Sequence, residues 1–171
     1  MPQVILISQF SLPYAQTGSW TTMYFNYLKE NNQIDYIVCK KPDSLFETVK
    51  YELVSQSKFL KVKQKLFKNP YLGYLEALKK ILKSDEKYIL QIVDNFGIVK
   101  PLQEFLIQNG WRENCQIQFF YHGYPPFYEN FQGRWFFEII DEMILLTQDS
   151  YRAYRDYYTV LPCRFSVLHN G

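Results

Sequence analysis

Cysteine, glycine and histidine are scarce in this chain of 171 residues, which contains three cysteines, seven glycines and two histidines. The cysteines are Cys39, Cys115 and Cys163, and they form neither a C-x-x-C motif nor a spacing that matches a histidine pattern. An odd, widely spaced set of this kind indicates neither a disulfide framework nor a zinc site. We therefore expect three free thiols in a reducing compartment.

Long hydrophobic runs are also missing. No apolar stretch approaches the roughly 20 residues that a helix needs to cross a bilayer, and no basic segment followed by an apolar one precedes Val4. The apolar fraction of 47% and the length suit one globular domain with a good core. The sequence predicts a cytoplasmic protein.

Residues 4–28 combine the signals of a strand, a polar turn and a helix. Residues 4–7 are apolar at every position, which favours a strand covered by helices on both faces. The apolar residues that follow recur at helical spacing, namely Trp20, Met23, Tyr24, Tyr27 and Leu28. Thr17, Gly18 or Ser19 is expected to cap this helix, whose free N–H groups would face the crevice above the strand. The turn therefore fits either an anion site or a simple helix cap.

A single glycine in this turn argues against a nucleotide-dependent dehydrogenase. That class needs three glycines in a G-x-G-x-x-G turn and an acidic residue at the end of the second strand. Here Gly18 is alone, and the second predicted strand, residues 34–39, ends in Cys39-Lys40-Lys41.

The rest of the chain alternates between predicted helices and strands. Further strands are expected at residues 88–93, 116–121, 142–147 and 165–169. Helices are expected over 45–67, with a cap at Asp43 or Ser44, and over 71–82. Further helices are expected from Pro101 to Asn109-Gly110, around 134–140, and after a cap at Asp149 or Ser150. This order predicts an α/β fold with a doubly wound, mostly parallel, Rossmann-like sheet in a three-layer sandwich.

Polar residues directly follow two of these strands. Asp94 and Asn95 come after strand 88–93, and His122 comes after strand 116–121. Together with Gly18 they are expected at the carboxyl edge of the sheet, where doubly wound folds bind ligands. Asp94 and Asn95 fit either contacts to sugar hydroxyls or caps of the next helix. His122 fits either a reactive group or a hydrogen-bonded turn residue.

The order of these elements resembles the N-terminal half of GT-B glycosyltransferases of the retaining, group-1 kind. The resemblance rests on the strand, turn and helix of residues 4–28, on the His122-Gly123 pair, on the strand 143–147 with its capped helix, and on the final Asn170-Gly171. In that family a strand ending in Asn-Gly marks the crossing to the second domain. The resemblance implies that residues 1–171 form the single acceptor-side domain and that the donor-binding C-terminal domain lies outside this chain.

The resemblance also implies an activity and a set of site residues. The intact enzyme would transfer a sugar from a nucleotide-sugar donor to a glycan or lipid-linked acceptor, as in polysaccharide biosynthesis, and this chain alone would be inactive. On matching positions, His122 would be catalytic, Gly18 and Ser19 would contact the donor, and Asp94, Asn95 and Tyr124 would contact the acceptor. Family members often carry a second glycine where this chain has Ser19.

No metal or other cofactor is expected. Helix dipoles and basic side chains can stabilise a leaving diphosphate, and the chain shows no carboxylate pair spaced for Mg²⁺. A non-catalytic Rossmann-like module that binds a nucleotide or a protein is the alternative function for the same pattern.

Lysines are concentrated in residues 58–87. This segment contains nine lysines and three acidic residues, a net charge of +6, whereas the whole chain has a net charge of +2. Five of these lysines lie close together with apolar residues between them, namely Lys58, Lys61, Lys63, Lys65 and Lys68. They fit either an anionic membrane surface, which would place the protein peripherally on the inner face of the membrane, or a solvated basic face. Nucleic-acid binding is not predicted, because the overall charge is small and no known motif is present.

Overall fold

Seven parallel strands form one sheet in a computed structural model, which describes residues 1–13, 19–30, 33–122, 135–158 and 160–168. The strands are β1 (Gln3–Ile7), β2 (Tyr36–Cys39), β3 (Lys50–Leu53), β4 (Tyr88–Val93), β5 (Cys115–Tyr121), β6 (Glu142–Leu145) and β7 (Arg164–Val167). The helices are α1 (Ser19–Glu30), α2 (Lys58–Leu66), α3 (Leu72–Ile81), α4 (Val99–Gln108), α5 (Trp135–Ile139) and α6 (Gln148–Tyr157).

The strand order is β3-β2-β1-β4-β5-β6-β7, and every neighbouring pair is parallel. The chain first adds strands to one side of β1 and then returns to add them to the other side. The order therefore reverses between β1 and β4, which is the point where open α/β sheets form a crevice beyond their strand ends.

Helices cover both faces of this sheet. On one face Tyr24 and Leu28 of α1 pack with Leu6 of β1 and Ile37 of β2. On the other face buried side chains of the next helices pack against β1, β4 and β5, and they include Leu78 of α3, Leu102 of α4, Phe136 of α5 and Tyr154 of α6. The apolar run without alternation in β1 follows from this double cover, whereas β4 carries the polar Gln91 on the face of α1. The predicted doubly wound, Rossmann-like α/β fold is confirmed.

The predicted long helix over residues 45–67 is wrong. Its first half contains β3, and only Lys58–Leu66 is helical. Tyr51 and Leu53 pack beside Ile37 on the face of α1, whereas Glu52 points to the other face and pairs with Lys80 of α3 at 2.5 Å. This alternation with a period of two is the signature of a strand.

Two predicted helix caps are also wrong. Asp43 and Ser44 precede turns rather than a helix, and α2 is instead capped by Ser57, whose hydroxyl accepts a hydrogen bond from the Leu60 N–H at 3.1 Å. At the start of α6 the cap is Thr147, which accepts from the Ser150 N–H at 3.0 Å, rather than Asp149 or Ser150. Thr147 follows β6 after one intervening residue and has an extended backbone, so its side chain reaches the free Ser150 N–H at the start of the helix.

The three cysteines are free thiols, as expected, with Cys39 and Cys115 buried. Among the described helices, not one combines the length and the apolar character that crossing a membrane requires.

A row of polar side chains crosses β4 to β7 on the face that carries α1. Gln91 donates to Gln118 at 3.2 Å, and Gln118 donates to Glu142 at 2.9 Å. Glu142 is buried, and it also accepts from Ser166 and pairs with Arg164 at 3.3 Å. The strand register places Gln91, Gln118, Glu142 and Arg164 opposite one another, so the polar row runs from β4 to β7 without a break.

Candidate functional site

A cavity of about 470 Å³ lies at the carboxyl edge of the sheet, on the side of the reversal formed by β1, β2 and β3. The residues that directly follow strands form one wall, namely Gln9, Lys40, Val54, Ser55, Gln56 and Asn95. The segment from α2 into α3 forms the opposite wall with Leu60, Lys61, Gln64, Pro70, Tyr71 and Tyr74.

The described lining mixes polar groups with apolar surface and contains no acidic side chain. It offers four side-chain amides, a hydroxyl, two phenols and two lysines, together with a few apolar groups. Amides both donate and accept hydrogen bonds, and phenols add a flat apolar surface with a polar end. The cavity is therefore suited to a ligand that is rich in hydroxyl groups or carries negative charge.

Tyr74 keeps a neutral hydroxyl in this wall. Burial raises the pKa of Tyr74 to about 12, and the nearby Cys39 and Tyr71 add to the rise. At neutral pH the Tyr74 phenol is consequently a donor as well as an acceptor.

The position of Tyr71 depends on two neighbours. Its backbone N–H donates to the side chain of Asn69 at 2.9 Å, which shapes the turn into α3. Its hydroxyl lies against Gly97 in the 3-10 turn Phe96–Ile98, where a Cβ atom would be only 2.0 Å away. A residue larger than glycine at position 97 would push the phenol out of this place.

Asp94 and His122 form a bonded pair at the adjoining ends of β4 and β5. One carboxylate oxygen of Asp94 accepts the backbone N–H of His122 at 3.0 Å, and the other lies 3.0 Å from Nδ1 of its ring. An ionised carboxylate can only accept, so Nδ1 carries the hydrogen in the neutral imidazole. The Asp94 N–H in turn donates to the carbonyl of Phe120 at 3.0 Å, and this holds the strand ends together.

The surroundings of this pair are largely dry. The side chain of His122 is 11% exposed and that of Asp94 is 26% exposed. Burial raises the pKa of the neighbouring Tyr121, and Asp94 adds to that rise. Asp94 and His122 lie beside the cavity rather than in its described lining, whereas Asn95, the next residue after Asp94, lines the cavity and is buried.

The structure thus brings three of the predicted site residues to one edge of the sheet. Asn95 occupies the N-cap position of the 3-10 turn that leads into α4, but its side chain makes no capping bond. The Asp94 carboxylate bonds His122 instead. Ser19 is the first residue of α1. Gly18, Tyr124, Gly123 and Asn170-Gly171 lie outside the described residues.

Sequence reasoning missed several residues of the cavity. Gln9 and Lys40 directly follow predicted strands, so their positions carried a signal that could have identified them. Ser55 and Gln56 follow β3, where the sequence predicts a helix instead of a strand. For Tyr71 and Tyr74 the sequence indicates only a place in the apolar stripe of α3. Within the described residues, no group of three or more His, Cys, Asp or Glu side chains could hold a metal ion.

Neither a family model nor a curated protein matches this chain. Among solved structures, it is similar to the N-terminal domain of trehalose-6-phosphate phosphatase from Candida albicans, with a TM-score of 0.60 and 14% sequence identity. The match covers 100% of this chain and 49% of that chain, so this chain spans about half of its length. A likeness at this identity shows the fold alone and does not show the GT-B family. The chain has a Rossmann-like α/β fold, which an enzyme domain of known structure shares.

Proposed function

We propose that this chain is the acceptor-side domain of a glycosyltransferase, which transfers a sugar from a nucleotide-sugar donor to a glycan or lipid-linked acceptor. The observation that carries the proposal is the cavity beyond β1, β2 and β3, which amides and phenols line, beside the bonded pair of Asp94 and His122. The second, donor-binding domain of this enzyme would lie outside the chain.

The lining of the cavity supports sugar recognition. Asn95 is buried in the cavity wall, and its amide can both donate to and accept from a sugar hydroxyl group. Gln9 and Gln56 offer further amides from other strand ends, and Tyr71 offers a ring on which the apolar face of a sugar can rest. In this proposal Asp94 and Tyr124 also contact acceptor hydroxyls.

Positive charge near the cavity supports a role in handling the donor. Lys40 and Lys61 face it from opposite walls, and lysine binds phosphate groups as a point charge. In this proposal they act together with the backbone at Gly18 and Ser19 on the diphosphate, so no metal is required.

His122 is the proposed catalytic residue. Because Asp94 holds the hydrogen on Nδ1, Nε2 is the accepting nitrogen, and this form can bind a hydroxyl of the donor sugar. Asp94 would also stabilise an imidazolium, as carboxylates do when they orient a catalytic histidine. Nε2 is buried, so the donor must displace the groups that cover it.

The test is to titrate oligosaccharides and nucleotide sugars into the isolated chain and to monitor the NMR signals of its backbone amides. Neutral oligosaccharides should shift the signals of Gln9, Ser55 and Asn95, with weak affinity, because half of the site is missing. Nucleotide sugars should bind weakly and without turnover. Gln56→Ala should reduce the shifts caused by oligosaccharides, whereas Gln108→Ala, an exposed glutamine on α4, should leave them unchanged.

Two results would count against the proposal. If no sugar shifts these signals, the cavity is not an acceptor site. If free nucleotides bind tightly and sugars do not, the non-catalytic nucleotide-binding module is the better assignment.

A further inference from the structure

Helix α2 presents its apolar side chains to solvent. Phe59, Val62, Leu66 and the adjoining Phe67 are between 64% and 74% exposed, and Leu60 is the buried residue of this helix. An ordinary surface helix of a globular domain turns its apolar stripe toward the core. The exposed stripe on α2 therefore needs an explanation outside the core.

Helical geometry sorts the side chains of α2 into three groups. With 3.6 residues per turn, Phe59, Val62 and Leu66 fall on one outward side. Lysines border this stripe, with Lys58 and Lys65 along one edge and Lys63 along the other. Leu60 and Gln64 fall on the opposite side and line the cavity.

The inward side of α2 is attached to the fold chiefly through the buried Leu60 side chain. A Cβ atom at Gly73 of α3 would be 2.8 Å from both Leu60 and Val54, so glycine at this position lets the Leu60 side chain pack closely against α3. The Gln64 amide donates to the carbonyl of Pro70 at 2.8 Å, and Lys63 pairs with Glu76 at 3.1 Å. With this attachment in place, the outward stripe is not needed to hold the helix.

Positive charge surrounds the stripe without local compensation. Among the described residues, no acidic group lies within ion-pair distance of Lys58, Lys61, Lys65 or Lys68. The segment 58–87 has nine lysines and three acidic residues, whereas the whole chain has a net charge of only +2. Five of these nine lysines lie within α2 or directly after it, beside the exposed apolar side chains, namely Lys58, Lys61, Lys63, Lys65 and Lys68.

We propose that α2 docks this protein on an anionic lipid surface. The stripe of Phe59, Val62 and Leu66 would enter the boundary between headgroups and acyl chains, and the bordering lysines would contact lipid phosphates. Lysine side chains can lie along an apolar surface while their ammonium groups stay in water, so an apolar stripe with lysine on both edges suits a helix in the plane of the membrane. The charge complementarity selects anionic lipid over neutral lipid.

This docking would bring the cavity close to the lipid. Lys61 and Gln64 belong to the same short helix and line the cavity, so the cavity lies across α2 from the proposed contact. The membrane contact itself does not depend on sugar chemistry, and its test uses no sugar.

The test is co-sedimentation of the chain with lipid vesicles. Vesicles of phosphatidylcholine alone should leave the protein in the supernatant, whereas an equimolar mixture of phosphatidylcholine and phosphatidylglycerol should pellet it. Raising the salt concentration should weaken this binding, because exposed charges are then screened.

Two variants separate the contribution of the apolar side chains to vesicle binding from that of the lysines. Phe59→Gln with Leu66→Gln removes the outward apolar groups, and Lys58→Gln with Lys65→Gln removes charge while sparing the cavity residue Lys61 and the ion-paired Lys63. Each variant should bind anionic vesicles at least about tenfold more weakly than the original chain. The matched control is Lys100→Gln with Ile107→Gln on α4, an exposed lysine and an exposed apolar residue, and it should bind normally.

Circular dichroism and thermal unfolding should show all three variants folded, as expected for exposed substitutions. Recovery of the original chain in the supernatant with both kinds of vesicle at low salt would overturn the proposal. So would normal vesicle binding by the Phe59 and Leu66 variant, because the contact would then be purely ionic. Salt-sensitive binding to duplex DNA in place of vesicles would identify a nucleic-acid surface instead.

Discussion

Asp94 has a backbone conformation that most residues avoid. Its φ angle of 49° lies in the left-handed region, which asparagine and aspartate enter more readily than other non-glycine residues. The same residue accepts two hydrogen bonds from His122. Both the left-handed backbone conformation and the hydrogen bonds of the carboxylate therefore restrict which residue can occupy position 94.

Replacing Asp94 should distinguish these two constraints. Asp94→Ala should lower the free energy of unfolding by about 2 to 4 kcal/mol, because it removes two accepted hydrogen bonds and strains a left-handed backbone. Asp94→Asn should lower it by less than about 1 kcal/mol, because the amide oxygen still accepts the His122 N–H and asparagine tolerates this φ angle. Urea unfolding measures both values. An equal loss in the two variants would mean that the carboxylate charge, rather than the geometry, stabilises the pair.

The nearness of Asp94 and His122 could be predicted from the sequence, because parallel strands end at one edge and both residues directly follow strands. The bond between them could not be predicted in the same way. It depends on β4 and β5 being neighbours, on their register, and on the unusual φ angle of Asp94. The place of Ser55 and Gln56 in the cavity could not be predicted from the sequence, because their positions depend on β3.

At the scale of the element, α2 depends on one buried side chain. Leu60 is 3% exposed and packs against α3 through the space left by Gly73. The other contacts of α2 with the fold are the Lys63 ion pair and the Gln64 hydrogen bond, both at least partly exposed to solvent. Exposed pairs of this kind contribute little to stability.

Leu60→Ala should therefore detach α2 while the rest of the fold stays intact. Truncation of a buried leucine costs about 2 to 5 kcal/mol, and here the loss should appear as local opening. Amide hydrogen exchange in α2 should accelerate at least about tenfold, with little change in α3 and β4. Val62→Ala is the control, because Val62 is exposed on the same helix. Equal acceleration throughout the sheet would show that Leu60 stabilises the whole domain.

The error over residues 45–67 has a physical cause at this same scale. β3 is only four residues long and lies at an edge of the sheet, so its alternation spans few positions. Its partly buried Leu53 also fits a loose helical spacing with Phe46, Val49 and Leu60. The elements with long apolar runs or clear stripes, such as β1, β4 and α3, could be predicted because they are buried and therefore strongly patterned.

At the scale of the whole molecule, buried thiols and phenols link stability to pH. Burial raises the pKa of Cys115 to about 11 and that of Tyr74 to about 12, above the ordinary values of 9.0 and 10.0. In alkali the unfolded chain releases these protons first and so binds fewer protons than the folded chain. Stability from these groups is complete below about pH 9 and is lost as the pH rises through the folded values.

The free energy of unfolding should accordingly fall above pH 9, the ordinary thiol pKa. Each group that is ionised only in the unfolded state contributes a slope of about 1.4 kcal/mol per pH unit. Urea unfolding between the ordinary and the raised thiol pKa should show this fall, and Cys115→Ala should show a shallower one. Parallel curves for the two proteins would mean that Cys115 ionises in the folded state.

The polar row across β4 to β7 limits how these strands can align. A shift of one strand by a single residue would turn Glu142 toward the face that buries Met143 and Leu145, where an unpaired carboxylate is costly. A shift by two residues would keep the apolar residues on their proper faces, but it would separate Gln91, Gln118 and Glu142 from their partners. The apolar pattern thus excludes odd shifts and the hydrogen-bonded row excludes even ones. The two patterns together allow one alignment of these neighbouring strands, although the long crossovers that connect them would permit several.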